Sequence, residues 1–266
     1  MQRTLVRTTL ALALLAAAAG ATAAPVVDYA ALPGGTFTSV LPADGKAADA
    51  HVAPFRLRTT PVTNGEFLAF VRAHPEWQRD RVAAIFAEAR YLSAWAAPDA
   101  LGTEISPEQP VTSVSWFAAA AFCESEGARL PTWYEWEFAA AADATRTDAR
   151  ADPAWREHIL AWYARPSTEA LAPVGGEANV YGVRDLHGLV WEWVDDFNAL
   201  LVSADNREQG DPDLLRFCGA GAITLQQREN YAVLMRIAML SSLKAADTTT
   251  NLGFRCAKPG LRGDSP

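Results

Sequence analysis

Arg129-Leu130-Pro131-Thr132-Trp133-Tyr134-Glu135-Trp136-Glu137-Phe138 is the stretch on which the reading of this chain turns. Pro131 keeps Leu130 out of the helical region, so the segment enters extended. Thr132 and Glu135 stand at capping-box spacing. The hydroxyl accepts from the amide three residues on, and the carboxylate reaches back to the cap amide. A helix through Trp136, Phe138 and Ala142 follows. Upstream the same signature recurs: Pro61-Val62 leads into Thr63-Asn64-Gly65-Glu66, a second capping box. Phe67, Leu68, Phe70 and Val71 form the apolar face of its helix. Ser115 caps a third helix through Trp116, Phe117, Ala120 and Phe122, and Gly127 stops it.

Around these helices the chain is less regular. Pro33-Gly34-Gly35-Thr36-Phe37 reads as a turn feeding a short strand, and Phe55-Arg56-Leu57-Arg58 as a second strand. Residues 75–99 follow neither period, and 107–110 is a loop. Asp143–Ala172 is rich in Ala, Asp and Arg and reads as loop. After Gly175-Gly176, aromatic strands and tight turns are expected up to Arg255-Cys256. There is no repeat and no low-complexity linker. The expectation is one α+β domain over 24–266, with short helices early and many short strands between long loops.

The 266 residues carry 23 Lys+Arg against 31 Asp+Glu, a formal charge of −8, which disfavours nucleic acid and anionic lipid as partners. Arg3 and Arg7 precede an apolar run from Leu10 to Ala19, closed by Ala21-Thr22-Ala23. A basic start, a run of about a dozen apolar residues and a small-x-small end describe a secretory signal over 1–23. The run is too short to cross about 30 Å of hydrocarbon. The expected location is therefore periplasmic or secreted, where disulfides are permitted.

Six motifs in order give the chain a family likeness. They are Pro33–Phe37, Pro61–Asn64, Pro110-Val111-Thr112-Ser113-Val114-Ser115-Trp116, Arg129–Phe138, Tyr181-Gly182-Val183-Arg184-Asp185-Leu186-His187-Gly188-Leu189-Val190-Trp191-Glu192-Trp193, and Asn251-Leu252-Gly253-Phe254-Arg255-Cys256. Together they resemble the sulfatase-modifying-factor family, whose best known members are formylglycine-generating enzymes, over about Ala31 to Lys258. The resemblance implies a fold related to C-type lectins with little regular secondary structure.

It also implies sites. Asp185, Gly188, Val190 and Glu192 match a structural calcium site of these enzymes, in which the outer two give side chains and the inner two backbone carbonyls. Two hard carboxylates flanking a glycine turn suit an ion that takes six to eight oxygens. Cys123 and Cys256 match two cysteines that are disulfide-bonded in some members. The family's copper chemistry needs a further pair of thiolates, which hold Cu(I) beside the substrate cysteine. In the matching stretch this chain has Thr224 or Leu225 and, after Tyr231, Ala232. None of these can be a thiolate ligand, so copper in that form is not expected.

Cys218 remains as the one candidate catalytic sulfur. Met235 and Met239 follow at i, i+4, a spacing that suits core packing at least as well as soft-metal binding. His51, His74, His158 and His187 are scattered, so no His-x3-His-x-Glu iron run exists. Trp133, Trp136, Trp191 and Trp193 read as core tryptophans. Arg236 and Arg255 read as members of partly buried salt bridges, with binding of a peptide carboxylate as the alternative. The pattern around Cys218 and Met235 resembles a branch of accessory proteins found with copper nitrite reductases. Three functions stay open: an accessory or maturation factor for a client protein or peptide such as a periplasmic metalloenzyme, a protein-modifying oxidase with a relocated site, and a lectin-like binding module.

Overall fold

The computed structural model describes residues 28–39, 49–164, 170–199 and 231–261. Four short strands open the described chain: β1 (Tyr29–Leu32), β2 (Gly35–Thr38), β3 (Asp49–Val52) and β4 (Phe55–Arg58). β2 pairs antiparallel with β3. β1 and the final strand β7 (Ala257–Pro259) flank β4 in a three-stranded antiparallel sheet, which brings the two ends of the described chain together.

The first three helices start where the caps place them. α1 (Asn64–Ala73) and α3 (Trp133–Ala140) each carry a complete capping box, Thr63 with Glu66 and Thr132 with Glu135. α2 (Trp116–Ser125) is capped by the Ser115 hydroxyl and ends before Gly127, whose φ of +63° closes the turn. α3 stops two residues short of the expected Ala142, with Ala141 as its C-cap.

Two helices fall where none was expected. α4 (Pro153–Tyr163) lies in the segment read as loop. Asp152 caps it by accepting from the Ala154 amide, and proline at the first turn suits the fixed φ there, so a local start signal overrides the loop-like composition. α5 (Tyr231–Ser241) lies where strands and turns were expected. Val233, Ile237 and Leu240 recur at helical spacing, and Ile237 and Leu240 are buried. β5 (Trp191–Trp193) and β6 (Leu252–Phe254) form a parallel pair. Gly253 is needed in it, because a Cβ there would come within 2.6 Å of the Val111 carbonyl oxygen. Five helices beside three small sheets make the described residues α+β.

The core is aromatic. Phe67 of α1 packs with Phe70, Trp95, Phe122 and Phe254, at ring separations of 5.3–6.3 Å. Residues 75–99, which followed no period, are held as turns by side chains. Arg79 donates to the carbonyls of Leu92, Trp95 and Ala96, and Asn64 accepts the Trp95 indole N–H while donating to loop 106–110. Main-chain groups in an irregular segment need partners, and these side chains supply them. No described helix is long and apolar enough to cross a membrane.

Candidate functional site

β5 carries Glu192 into the interior, where it is 0% exposed. Arg255, one residue past β6, is equally buried. It donates to both carboxylate oxygens, Nε to Oε2 and Nη2 to Oε1, each at 2.8 Å. Its remaining N–H groups go to the carbonyls of Arg58, Thr59 and Arg184. The Trp136 indole N–H adds a third bond to Glu192 at 2.9 Å. This confirms Arg255 as a salt-bridge member and leaves none of its nitrogens without a partner.

The Asp185–Glu192 turn was expected to hold calcium. Its backbone is special: Asp185 has φ of +59° and Gly188 +99°. Asp185 accepts from the amides of Gly175 and Gly176 at 2.7 and 3.0 Å. Val190 is buried under Gly253. Glu192 Oε2 accepts from both Arg255 and Trp136, whereas Oε1 accepts from Arg255 alone and keeps a lone pair. Calcium held by the Asp185 and Glu192 carboxylates and the Gly188 and Val190 carbonyls stays what the family resemblance implies.

Cys123 of α2 and Cys256 are joined as a disulfide, with Cα atoms 5.4 Å apart. The chain has three cysteines, so Cys218 is the one sulfhydryl left. Residues 218, 224 and 225 and the side chain of Ala232 lie outside the described residues, as does the leader expected over 1–23. Met235 is 40% exposed on α5, while Met239 packs against the core.

Beside the ion pair lies a second buried guanidinium. Arg236 of α5 is 1% exposed, and its Cζ sits 3.6 Å from the centroid of the Trp136 ring. Nη2 donates to the backbone oxygen of Glu192, and Nε has no hydrogen-bond partner. Burial lowers its pKa to about 10. His187 approaches the same indole edge-on, with ring centroids 5.7 Å apart, and meets Trp155 at 5.5 Å. Its Nε2 bonds the Ala140 carbonyl, while Nδ1 is shut off from solvent with no partner. Burial holds its pKa down to about 4, so at neutral pH the ring is uncharged and Nε2 carries the proton. Three partly exposed rings pack together nearby. Tyr163 lies 4.5 Å from Trp162 and 5.0 Å from Trp191, and Trp162 lies 6.0 Å from Trp191. Burial pushes the Tyr163 phenol up to about 12, within electrostatic reach of Arg236.

The structure therefore divides the expected sites. Trp133, Trp136 and Trp193 are core, as expected, whereas Trp191 is partly exposed. Asp196 is a structural acceptor for the Trp133 amide. Sequence reading missed Trp162 and Tyr163 because their helix was read as loop. The Asp152-Pro153 start was the signal that could have found them.

Comparison with known proteins agrees with the motif resemblance. The family described as "Sulfatase-modifying factor enzyme 1-like domain" matches residues 16–259. The formylglycine-generating enzyme of Streptomyces coelicolor is 30% identical over 85% of this chain and 87% of that protein. The "Inactive C-alpha-formylglycine-generating enzyme 2" of Mus musculus is 29% identical over 87% of this chain and 85% of that one. The solved structure of PvdO from Pseudomonas aeruginosa is 18% identical, with a TM-score of 0.46 over 86% of this chain and 93% of that one. A mixed α+β chain with these ordered motifs and this buried Glu192–Arg255 centre belongs to the sulfatase-modifying-factor family.

Proposed function

We propose that this chain is an exported accessory or maturation factor that binds a client protein outside the cytoplasm, and that it does not perform the copper-dependent oxidation of the formylglycine-generating enzymes. One observation carries the reading. Of three cysteines, Cys123 and Cys256 are consumed in a disulfide, and a two-thiolate Cu(I) site cannot be built from Cys218 alone within one chain. Thr224 and Ala232, at the positions matching the family's thiolates, offer a hydroxyl and a methyl. The relative named inactive is a precedent for keeping the family's sequence pattern without the activity.

The client class follows from the resemblance to the nitrite-reductase-associated branch, which makes an extracytoplasmic metalloenzyme the proposed partner. The basic-apolar-small leader over 1–23 supports export to the periplasm or the medium. The test is incubation of the purified protein with Cu(I), oxygen and a cysteine-containing sulfatase-type peptide, followed by mass spectrometry. An unchanged peptide is expected. Loss of mass at the cysteine overturns the proposal, and its disappearance in Cys218→Ser would place the chemistry at that sulfur.

A further inference from the structure

Three arginines are buried among the described residues, and they are not treated alike. Arg58 pairs with Glu66 and Glu126, and Arg255 with Glu192. Arg236 forms no ion pair with a described residue. It keeps one bond to a backbone oxygen, stacks on Trp136, and leaves Nε unpartnered. Glu192 acts on Arg236 electrostatically, but its carboxylate is already paired with Arg255, and a buried guanidinium without a carboxylate of its own carries a desolvation cost that a single carbonyl does not offset. Stacking on an indole recovers part of it, and a planar anion on the free edge would recover more.

We infer that Arg236 is the receptor for a carboxylate carried by a ligand of this protein, with Tyr163, Trp162 and Trp191 forming the wall against which the rest of that ligand lies. The chemistry of each neighbour fits. Nε offers a donor with no competing partner, and a carboxylate can take it together with an Nη proton in the planar fork that suits guanidinium. Tyr163 stays protonated at neutral pH and is a second donor on the Arg236 side. The partly exposed rings of Tyr163, Trp162 and Trp191, 4.5–6.0 Å apart, form an apolar group that Tyr163 brings within electrostatic reach of that charge. The assignment goes beyond the proposed maturation role and does not depend on it, since a carboxylate site serves a client peptide or a free acid alike.

The experiment uses the full chain at pH 7 and constant ionic strength, read by intrinsic tryptophan fluorescence and thermal midpoint. Four probes are compared: sodium acetate, sodium chloride, N-acetyl-glutamate α-amide and the isosteric N-acetyl-glutamine α-amide. Saturable responses to acetate and the glutamate probe, with none to chloride or the glutamine probe, are expected. Acetate binding as tightly as the glutamate probe points to a free acid; tighter binding of the glutamate probe points to a peptide side chain. Arg236→Lys keeps the charge but loses the fork, and should weaken binding by about tenfold. Arg236→Met should abolish binding with the far-UV circular dichroism unchanged. Equal responses to the glutamate and glutamine probes, a chloride response matching acetate, or unaltered affinity in Arg236→Lys would each overturn the assignment. The wild-type titration decides the matter even where Arg236→Met fails to fold.

Discussion

Glu192 stands between two buried arginines that use it in opposite ways. Its carboxylate accepts from Arg255 and the Trp136 indole, while its backbone oxygen takes one proton from Arg236. Arg255 has a partner for every nitrogen, and Arg236 leaves Nε without one. Burial is the same for both, so burial does not separate structure from site. Satisfaction does. A guanidinium whose donors are all used welds β5 to β6, whereas the buried, unpartnered Nε of Arg236 is the group that the proposed carboxylate would satisfy.

The weld is also where the largest effects are expected. Cys256 is the neighbour of Arg255, and its bond to Cys123 closes a separation of 133 residues. Replacing both cysteines by serine should cost about 4–5 kcal/mol through the restored entropy of the unfolded chain, measured by urea unfolding. Little change would mean that Arg255 is anchored without the crosslink.

Glu192→Gln leaves Arg255 buried and uncompensated, and should cost about 3–5 kcal/mol. The double replacement Glu192→Met with Arg255→Met should recover most of that loss, because the two charges are then removed together. If calcium shares the Glu192 carboxylate, as the family resemblance implies, chelation should lower the wild-type melting curve by several degrees. An unchanged curve would leave Arg255 and Trp136 as the partners of that carboxylate.

The cluster around Arg236 should answer to acid. His187 is held neutral by burial, with its pKa down to about 4, against about 6.5 in the unfolded chain. Between those values the unfolded state binds the extra proton, so stability is full above pH 6.5 and falls as the pH drops toward 4. The loss is on the order of 3 kcal/mol, and His187→Asn should flatten it in a comparison of unfolding at pH 7 and pH 4.5.

Smallest of all should be the effect of Arg236→Met on stability, within about 1 kcal/mol of wild type in urea unfolding, since an apolar side chain replaces a buried cation whose neighbouring carboxylate, Glu192, is already paired with Arg255. A loss as large as that of Glu192→Gln would make the two arginines equivalent and erase the contrast between them.

Much of the frame was legible from short-range chemistry. The boxes Thr63–Glu66 and Thr132–Glu135 and the Ser115 cap place α1, α3 and α2 because capping is settled within one helical turn. Cys123 and Cys256 were matched by family resemblance, and the structure brings them together. The α4 and α5 segments were not legible by composition: Asp152-Pro153 and the Val233, Ile237 and Leu240 spacing were outweighed by loop-like and aromatic surroundings. With α4 misread, Trp162 and Tyr163 could not be assigned to a site.

The sequence by itself determined the family motifs, the starts of α1, α2 and α3 and the count of three cysteines, since these depend only on which residues stand at which spacing. Tertiary structure alone showed that Arg255 is an ion-pair member and that Arg236, expected to be one as well, pairs with no described carboxylate. An ion pair between Glu192 and Arg255 spans 63 positions of chain, and which guanidinium reaches that carboxylate depends on how β5, β6 and α5 pack in space.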